Sequence, residues 1–265
     1  MKLIISLIIL LSSLMSLAQE MPVNKVSEEK PRYFPIWGEE AKKMGYTLPR
    51  AYGINISRIE HDEKFGVKKA TLNDENLFDA LPVTGDVKVD TETKINMIRT
   101  DFWLLPFFNL YLGIGQIHSD VQLEFKTQLP IVGAQQHKIP FKATGTVANL
   151  GGVLVAGYNN WFAMTNVNLT DVIIEDELDV SLYSIAFRGG YNAGKLQIFT
   201  GAMYIDSDIK ITGSRQDIVL NVSLSSYGWH GLAGLNYEIN REFGLTTELS
   251  FGDRYMYLLE FGYRF

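Results

Sequence analysis

Two short polar triplets contain the residue types that hydrolytic chemistry requires. His118-Ser119-Asp120 and Asp206-Ser207-Asp208 each stand at the end of an alternating apolar and polar stretch. A histidine held by a carboxylate can act as a general base and activate a water molecule. Short polar triplets are also common where strands meet loops, and this interpretation is favoured. We therefore predict no catalytic residue.

The remaining candidates for chemistry are metal or cofactor sites. Asp171, Glu175, Asp176, Glu177 and Asp179 supply oxygen ligands of the kind that Ca²⁺ prefers, but they lack EF-hand spacing, so a solvated acidic loop is favoured. The four histidines show no paired spacing for a metal, and no phosphate-binding, dinucleotide-binding or G-x-S-x-G motif occurs. The sequence predicts no metal and no cofactor.

The first residues are typical of a secretory signal. Lys2 precedes an apolar stretch over residues 3–17, and Ser16-Leu17-Ala18 is a small-residue cleavage site. A membrane anchor is the less favoured alternative, because the apolar run is short. The chain has no cysteine, which excludes disulfides and a lipid-attachment cysteine. Residues 1–18 are therefore predicted to be a signal peptide.

Composition excludes two broad classes of protein. Charged residues are 20% of the chain and the formal net charge is −6, so no basic surface for nucleic acid is expected. No later stretch reaches about 18 consecutive apolar residues, which excludes further spanning helices. Transmembrane strands are compatible with this composition, because their alternation dilutes hydropathy.

From Ala51 onward, apolar residues recur at every second position, as in strands. Ten strands are predicted, at about 51–60, 92–103, 107–118, 144–158, 161–171, 181–192, 195–206, 225–239, 242–252 and 254–265. Short and long connections alternate, with the long ones at 61–91, 119–143, 172–180 and 207–224. This asymmetry is typical of outer-membrane barrels, with short periplasmic turns and long outer loops. We predict an all-β fold, an antiparallel up-and-down transmembrane β-barrel over residues 51–265, with eight or twelve strands as alternatives.

Residues 19–50 differ from the rest of the chain. Their start is polar, and one short helix is predicted around Trp37 to Met44, between Pro35 and Pro49. This segment is predicted to be a periplasmic or plug-like N-terminal segment.

Aromatic residues form two groups that match the interfacial girdles of a barrel. Near the short turns lie Trp103, Phe107, Phe108, Tyr158, Trp161, Phe162, Tyr191, Tyr237 and Phe243. Near the opposite strand ends lie Tyr183, Tyr204, Tyr227, Trp229, Phe251 and Tyr255. The alternative is the aromatic-rich core of a soluble sandwich.

The last strand, RYMYLLEFGYRF, is predicted to turn its aromatic face to lipid. Phe261, Tyr263 and Phe265 alternate on that face. They also resemble the terminal signal that the barrel-assembly machinery of Gram-negative bacteria reads. The sequence therefore predicts an assembly signal at these three residues.

Several stretches resemble an uncharacterised group of Gram-negative outer-membrane β-barrel proteins, loosely labelled virulence or outer-membrane proteins. The stretches are FPIWGEEAKKMGYTLPRAYGI, DFWLLPFFNLYLGIG, GYNNWFAMTNVN, GAMYID, WHGLAGLNYEINREFGLTTELSFGDR and LEFGYRF. The resemblance covers most of the mature chain. It implies a barrel in the cell outer membrane and no catalytic residues.

The alternation also predicts which polar residues point inward. A lumen polar network is expected from Arg99, Asp101, Arg188, His230, Glu238, Glu248, Glu260 and Arg264. These groups either hold the strands together as ion pairs, which is favoured, or line a narrow conduit. Asn55, Ser57, Asn109, Asn166, Asn168 and Asn236 are inward on the same alternation.

The expected function is a structural, adhesive or small-solute channel role. The alternative is an omptin-like or lipid-modifying hydrolase, since omptins also place an Asp pair and an Asp-His pair at the outer rim. Expected partners are outer-membrane lipid, lipopolysaccharide, the barrel-assembly machinery and an extracellular ligand reached through the long connections, with no nucleic acid.

Overall fold

The computed structural model describes residues 33–45, 48–72, 75–76, 88–129, 133–174, 178–215, 218–252 and 254–265. Within these residues no helix is long and apolar enough to cross a membrane. The predicted signal peptide lies outside the described residues, as does residue 253 between the last two strands.

Ten long strands close into an antiparallel barrel, as predicted. The strands are β1 (Tyr52–Leu72), β3 (Lys88–Leu105), β4 (Phe108–Leu129), β5 (Gly133–Tyr158), β6 (Trp161–Ile174), β7 (Leu178–Ala193), β8 (Leu196–Arg215), β9 (Ile218–Glu238), β10 (Phe243–Phe251) and β11 (Tyr255–Arg264). Each pairs with its neighbour in the chain, and β11 pairs with β1 to close the ring. The two-residue β2 (Glu75–Asn76) pairs with the far end of β1.

Most of the strands are longer than the sequence predicts. The strand expected at 51–60 continues to Leu72, and those expected at 107–118 and 144–158 form a single hairpin that pairs as far as Leu129 and Gly133. The long connections are therefore largely strand.

The reason is seen in β3, where the side chains keep their period of two but the apolar residues move from the outward to the inward positions along the strand. Near the short turns of β3, Ile98 is exposed on the outside while Asp101 is buried inside. Farther along, Glu92 and Lys94 are exposed and Val89 is buried. Apolar residues thus face outward in the half of β3 near the short turn and inward in the other half.

The aromatic belts are confirmed with two corrections. Outward aromatics at the short-turn end include Tyr158 and Trp161, with exposed fractions of 79% and 63%. Trp103 and Phe162, however, point inward. The Arg264 guanidinium lies 5.9 Å from the Trp103 ring centroid, and Phe162 packs on a buried cluster. Both residues are at inward positions of their strands, which proximity to a turn does not reveal.

The predicted short helix is present as α1 (Gly38–Lys43). The backbone N–H of Ile36 donates to the carbonyl of Leu104 at 2.9 Å, and the Phe34 ring packs edge-on against Tyr52 and Phe102. Tyr52 and Phe102 are on the outward face, so this part of the N-terminal segment packs against the outside of the wall. A plug role for residues 19–50 as a whole stays a prediction, because residues 19–32 lie outside the described residues.

Candidate functional site: the packed interior and a gap in the wall

Asp101 is the centre of a hydrogen-bond cluster at the short-turn end of the interior. Its carboxylate accepts bonds from Asn55 Nδ2 at 2.7 Å, Asn109 Nδ2 at 2.8 Å and Arg264 at 2.6 Å. These donors come from β1, β4 and β11, so one buried carboxylate joins four strands across the closure. A carboxylate with several donors tolerates burial that an isolated charge does not.

The next layer is formed by Arg99, Glu260 and Tyr111. Arg99 pairs with Glu260 at 2.8 Å, and its guanidinium lies 4.8 Å from the centroid of the Tyr111 ring. The Tyr111 hydroxyl donates towards Asn166 Oδ1 and Asn168 Oδ1, at 3.1 and 3.2 Å. Tyr111 is on β4 and these asparagines are on β6, so the tyrosine spans the lumen beyond its neighbouring strand.

Arg188 and Glu248 form an ion pair that joins two further strands across the interior. The guanidinium donates two bonds to the carboxylate, at 2.7 and 2.9 Å, from β7 to β10. Bidentate pairs of this kind have the geometry that favours burial. Of the other predicted members, His230 is buried, while Glu238 is exposed at the short-turn rim because β9 ends there.

One buried pair was not predicted. Arg254 pairs with Glu63 and donates to Ser207 Oγ at 3.1 Å, and the arginine and glutamate are each only 4% exposed. Glu63 falls in a stretch predicted to be loop, since the first strand was expected to end near residue 60. Continuing the inward positions Asn55 and Ser57 by twos reaches Glu63, and that step would have found it.

Apolar side chains fill the interior beyond the polar layers. Val147 and Leu232 are 0% exposed, each inside a buried cluster. A third cluster contains Phe65, Val89 and Leu224, with Val121, Leu123 and Ile209 packed against it. The last group draws on β4 and β8, which stand four strands apart on the barrel. Beyond the gap β1 pairs with β9, so this cluster joins five successive strands, β4, β3, β1, β9 and β8, at that end of the interior.

Inward glycines make space for these side chains. A Cβ at Gly151 would collide with the Tyr111 ring, and one at Gly190 would collide with Phe162. At each of these glycines, a large side chain from an adjacent strand lies over the inner surface of the glycine's own strand. The interior is filled, as small barrels of eight to ten strands allow.

The barrel wall has a gap next to the turn of the β10–β11 hairpin, on the side distant from the short turns. The pairing of β1 with β11 ends at Asp62, and its pairing with β9 starts at Gly66. On β9, the pairing with β10 starts at Gly231 and the pairing with β1 ends at Ser225. Residues 63–65 and 226–230 therefore face each other with no ladder between them, since β10 and β11 are shorter than their neighbours.

A cavity of about 1090 Å³ lies at this gap. Its floor includes the buried residues Glu63, Arg254 and His230. Its outer part follows one cross-strand row, in which Tyr255, Asp62, Glu92, Asp120 and Lys142 are successive partners. The cavity therefore opens on the outside of the wall and reaches the interior through the gap.

The predicted assembly residues form a ladder of rings on the lipid-facing side. Phe261, Tyr263 and Phe265 are 42%, 36% and 50% exposed. Phe243 stacks with Phe261 and Tyr263, at centroid distances of 5.7 and 5.0 Å. Phe265 stacks on Tyr52 at 5.9 Å, and the backbones of these two residues exchange two hydrogen bonds. The ladder joins the last strand to the first.

The polar triplets do not come together. His118 and Asp120 lie on the outward face of β4, and Asp206 and Asp208 lie on the outward face of β8. These strands are four positions apart around the barrel. Of the acidic stretch, Asp171 accepts a bond from Ser181 Oγ at 3.1 Å, and residues 175–177 lie outside the described residues. No group of three metal-ligating side chains forms in the part of the chain that the structure describes.

Comparison with known proteins gives only a likeness of architecture. No family model and no curated protein matches the chain. The COG4313 outer membrane channel from Pseudomonas putida F1 is 11% identical, with 83% of this chain and 97% of that chain covered and a TM-score of 0.41. OprG from Pseudomonas aeruginosa, an outer membrane protein, is 10% identical over 82% and 98%, with a TM-score of 0.44. The translocator domain of the autotransporter NalP from Neisseria meningitidis is 10% identical over 86% and 93%, with a TM-score of 0.39.

These values carry no argument about activity. The location follows from the molecule itself, because a closed barrel with an apolar outward belt between two aromatic girdles is the form in which strands cross a membrane. The chain is an outer-membrane β-barrel protein.

Proposed function

We propose that this outer-membrane barrel has a structural and adhesive role at the cell surface, and that it is neither a solute channel nor an enzyme. The observation that carries the proposal is the filled interior. Side chains from separate strands meet at the Asp101 cluster, at the buried Val147 and Leu232, and at the Phe65 cluster. A solute would have to displace polar and apolar layers in succession.

The hairpin of β4 and β5 supports the adhesive part of the proposal. Its pairing with β3 ends at Glu124, and β5 pairs with β6 only from Gly145 onward. The hairpin therefore extends beyond its neighbours as a two-stranded arm, defined here as residues 125–129 and 133–137. By the rule of short periplasmic turns, the arm faces the cell exterior.

The exposed edge of β5 carries residues that oppose strand addition. Lys138, Pro140 and Lys142 are exposed along it, and edge lysines and prolines discourage pairing with other chains. The edge of β5 next to the arm therefore disfavours backbone pairing with another chain. Lipopolysaccharide and an extracellular ligand are the partners we propose for this region.

The outward placement of His118 and Asp206 on separate strands supports the absence of a hydrolase at the rim. A general base must lie within hydrogen-bond reach, about 2.6–3.2 Å, of the proton that it abstracts. The omptin-like alternative requires the His118–Asp120 pair and the Asp206–Asp208 pair to contact the same water molecule.

The channel part is tested by single-channel recording of the purified barrel in planar bilayers. We expect no discrete conductance steps above the leak of the bilayer. A double variant, Tyr111→Ala with Phe199→Ala, removes two rings from the interior and serves as the opened control. Regular conductance steps from the native chain would refute the closed barrel.

The adhesive part is tested by replacing residues 125–137 with an Asn-Gly turn, which suits a two-residue hairpin. The shortened barrel should assemble at the native level, because the arm lies beyond the pairing with β3. Attachment of cells that express it to lipopolysaccharide-coated or host-matrix surfaces should fall. Unchanged attachment at equal surface abundance would exclude the arm as the adhesive element.

A further inference from the structure

Residues 33–45, called here the rim segment, lie against the lipid-facing side of the wall. The backbone N–H of Ile36 donates to the carbonyl of Leu104 at 2.9 Å, and the Phe34 ring packs edge-on against Tyr52 at a centroid distance of 6.4 Å. Leu104 and Tyr52 are at outward positions of β3 and β1. The rim segment therefore covers a part of the wall that would otherwise face the bilayer.

The rim segment is at the level of the aromatic girdle beside the short turns. Trp37 stacks on Phe107, in the turn between β3 and β4, at a centroid distance of 6.5 Å. Tyr52, against which the segment packs, stacks in turn on Phe265 at the chain end. Short turns of outer-membrane barrels face the periplasm. The segment therefore lies at the periplasmic surface of the membrane, where tryptophan and tyrosine are enriched.

The helix α1 has one apolar face and one charged face. Trp37, Ala41 and Met44 are four and three residues apart, so they share one side of the helix. The Trp37 and Met44 side chains are 58% and 75% exposed. The opposite side carries charged residues, namely Glu39, Lys42 and Lys43. Large apolar side chains are thus exposed on one side of a helix that adjoins the lipid-facing wall.

The position of this helix is fixed by contacts on both sides of it. Before the helix, the Ile36 amide is bonded to β3. After it, Arg50 pairs with Glu242 at 2.8 Å, and the Arg50 carbonyl accepts a bond from Arg264 at 3.2 Å. These two attachments hold the exposed apolar face beside the girdle.

We propose that the rim segment binds the periplasmic leaflet of the outer membrane, with Ile36, Trp37 and Met44 among the lipid head groups and the first acyl carbons. Its apolar face is continuous with the girdle, so the bilayer that covers the girdle also covers this face. Two acidic and two basic side chains balance on α1, so the contact does not require anionic lipid. The segment is then a membrane-surface element outside the barrel, and this role does not depend on adhesion by the arm.

The test measures the depth of the rim segment in the bilayer. The chain has no cysteine, so Met44→Cys carries a single fluorescent label in barrels held in phosphatidylcholine vesicles. The quencher is phosphatidylcholine with a nitroxide near its head group. The references are Tyr158→Cys, at the same girdle and 79% exposed, and Arg241→Cys, in the exposed β9–β10 turn.

We expect the label at position 44 to be quenched as strongly as the label at position 158 and roughly threefold more than the label at position 241, as for an interfacial helix. Replacing part of the lipid with phosphatidylglycerol should leave the quenching unchanged. Quenching no greater than at position 241 would overturn the proposal, because the segment would then lie in water.

A double variant identifies the side chains responsible. Ile36→Ser with Trp37→Asn removes two apolar side chains and keeps the Ile36 backbone bond, and asparagine tolerates the left-handed conformation of residue 37, with φ of 66°. Quenching at position 44 should fall by about half, since binding scales with buried apolar area. The heat-dependent gel shift should be unchanged.

Glu40→Gln, an exposed change on the same helix, is the matched control and should be quenched as the native segment is. Equal quenching in the double variant and the control would overturn the proposal. Efficient cross-linking between two Met44→Cys barrels in excess lipid would also overturn it, because a second copy would then cover the apolar face.

Discussion

Asp101 and Arg264 are 163 residues apart in sequence, and their side chains meet at 2.6 Å inside the barrel. The carboxylate is on β3 and the guanidinium is on β11, with β1 between them. The pair therefore spans the seam where the last strand closes on the first. The pair therefore stabilises the barrel only once β11 has closed on β1.

Asp101→Ala should destabilise the closed barrel, because Arg264, Asn55 and Asn109 lose their common acceptor. Removing one partner of a buried pair costs about 3–5 kcal/mol, and the partial exposure of Arg264 places the expected loss in free energy of unfolding at about 2–3 kcal/mol. The measurement is urea unfolding in lipid vesicles, followed by the heat-dependent shift on gels. Asp171→Asn is the control, and an equal midpoint for the two variants would contradict the role of Asp101.

For the Arg188–Glu248 ion pair, removing one partner should cost more stability than replacing both partners with apolar residues. Arg188→Met alone leaves a carboxylate buried at 5% exposure, so we expect a loss of about 3 kcal/mol. The double variant Arg188→Met with Glu248→Leu replaces the pair with apolar groups and should recover most of that loss. A double-mutant cycle by urea unfolding measures the coupling, and strictly additive losses would show that the two side chains act independently.

Phe265→Asp should lower the amount of assembled barrel. The transfer cost of a carboxylate near the membrane interface is only about 0–1 kcal/mol, so the main effect is expected on assembly, through the lost stack on Tyr52 and the predicted terminal signal. Tyr158→Asp places the same charge at the same girdle, away from the seam. Equal amounts of heat-shifted barrel in outer-membrane fractions of the two variants would exclude a special role for Phe265.

The arm should loosen in acid. A hydrogen bond from Lys138 lowers the pKa of the Glu124 carboxyl below its ordinary value of 4.5. A lowered pKa means that the pair stabilises the arm fully above the ordinary pKa and loses this contribution as pH falls through the lowered one. The protection of the amides of residues 125–137 against hydrogen exchange, taken relative to the intrinsic exchange rate at each pH, should therefore decrease as pH falls below the ordinary pKa of this carboxyl. Glu124→Gln should remove this pH dependence, and an identical pH profile in that variant would rule out the pair as its cause.

The sequence by itself determines the barrel and the inward positions of its polar groups, and it predicts ten strands with eight or twelve as alternatives. Alternation at every second position, together with alternating connection lengths, is sufficient, because each strand must present an apolar face to lipid while its other face closes on the interior. The residues from Arg99 to Arg264 that were predicted inward are largely found there. That part of the fold is encoded locally.

The tertiary structure decides where along a strand the apolar residues move from outward to inward positions, which residues pair, and where the wall has a gap. Beyond the membrane, β1 and β3 keep a spacing of two while lipid is replaced by water outside, so Val89 points inward and Glu92 outward. In this part of the strand the outward residues are polar, so the sequence pattern no longer indicates a membrane-spanning strand. The gap at Glu63 and Arg254 has a similar origin, because it arises from the different lengths of β1, β9 and the β10–β11 hairpin. Strand length relative to a neighbour is a property of the closed sheet, and no single stretch of sequence contains it.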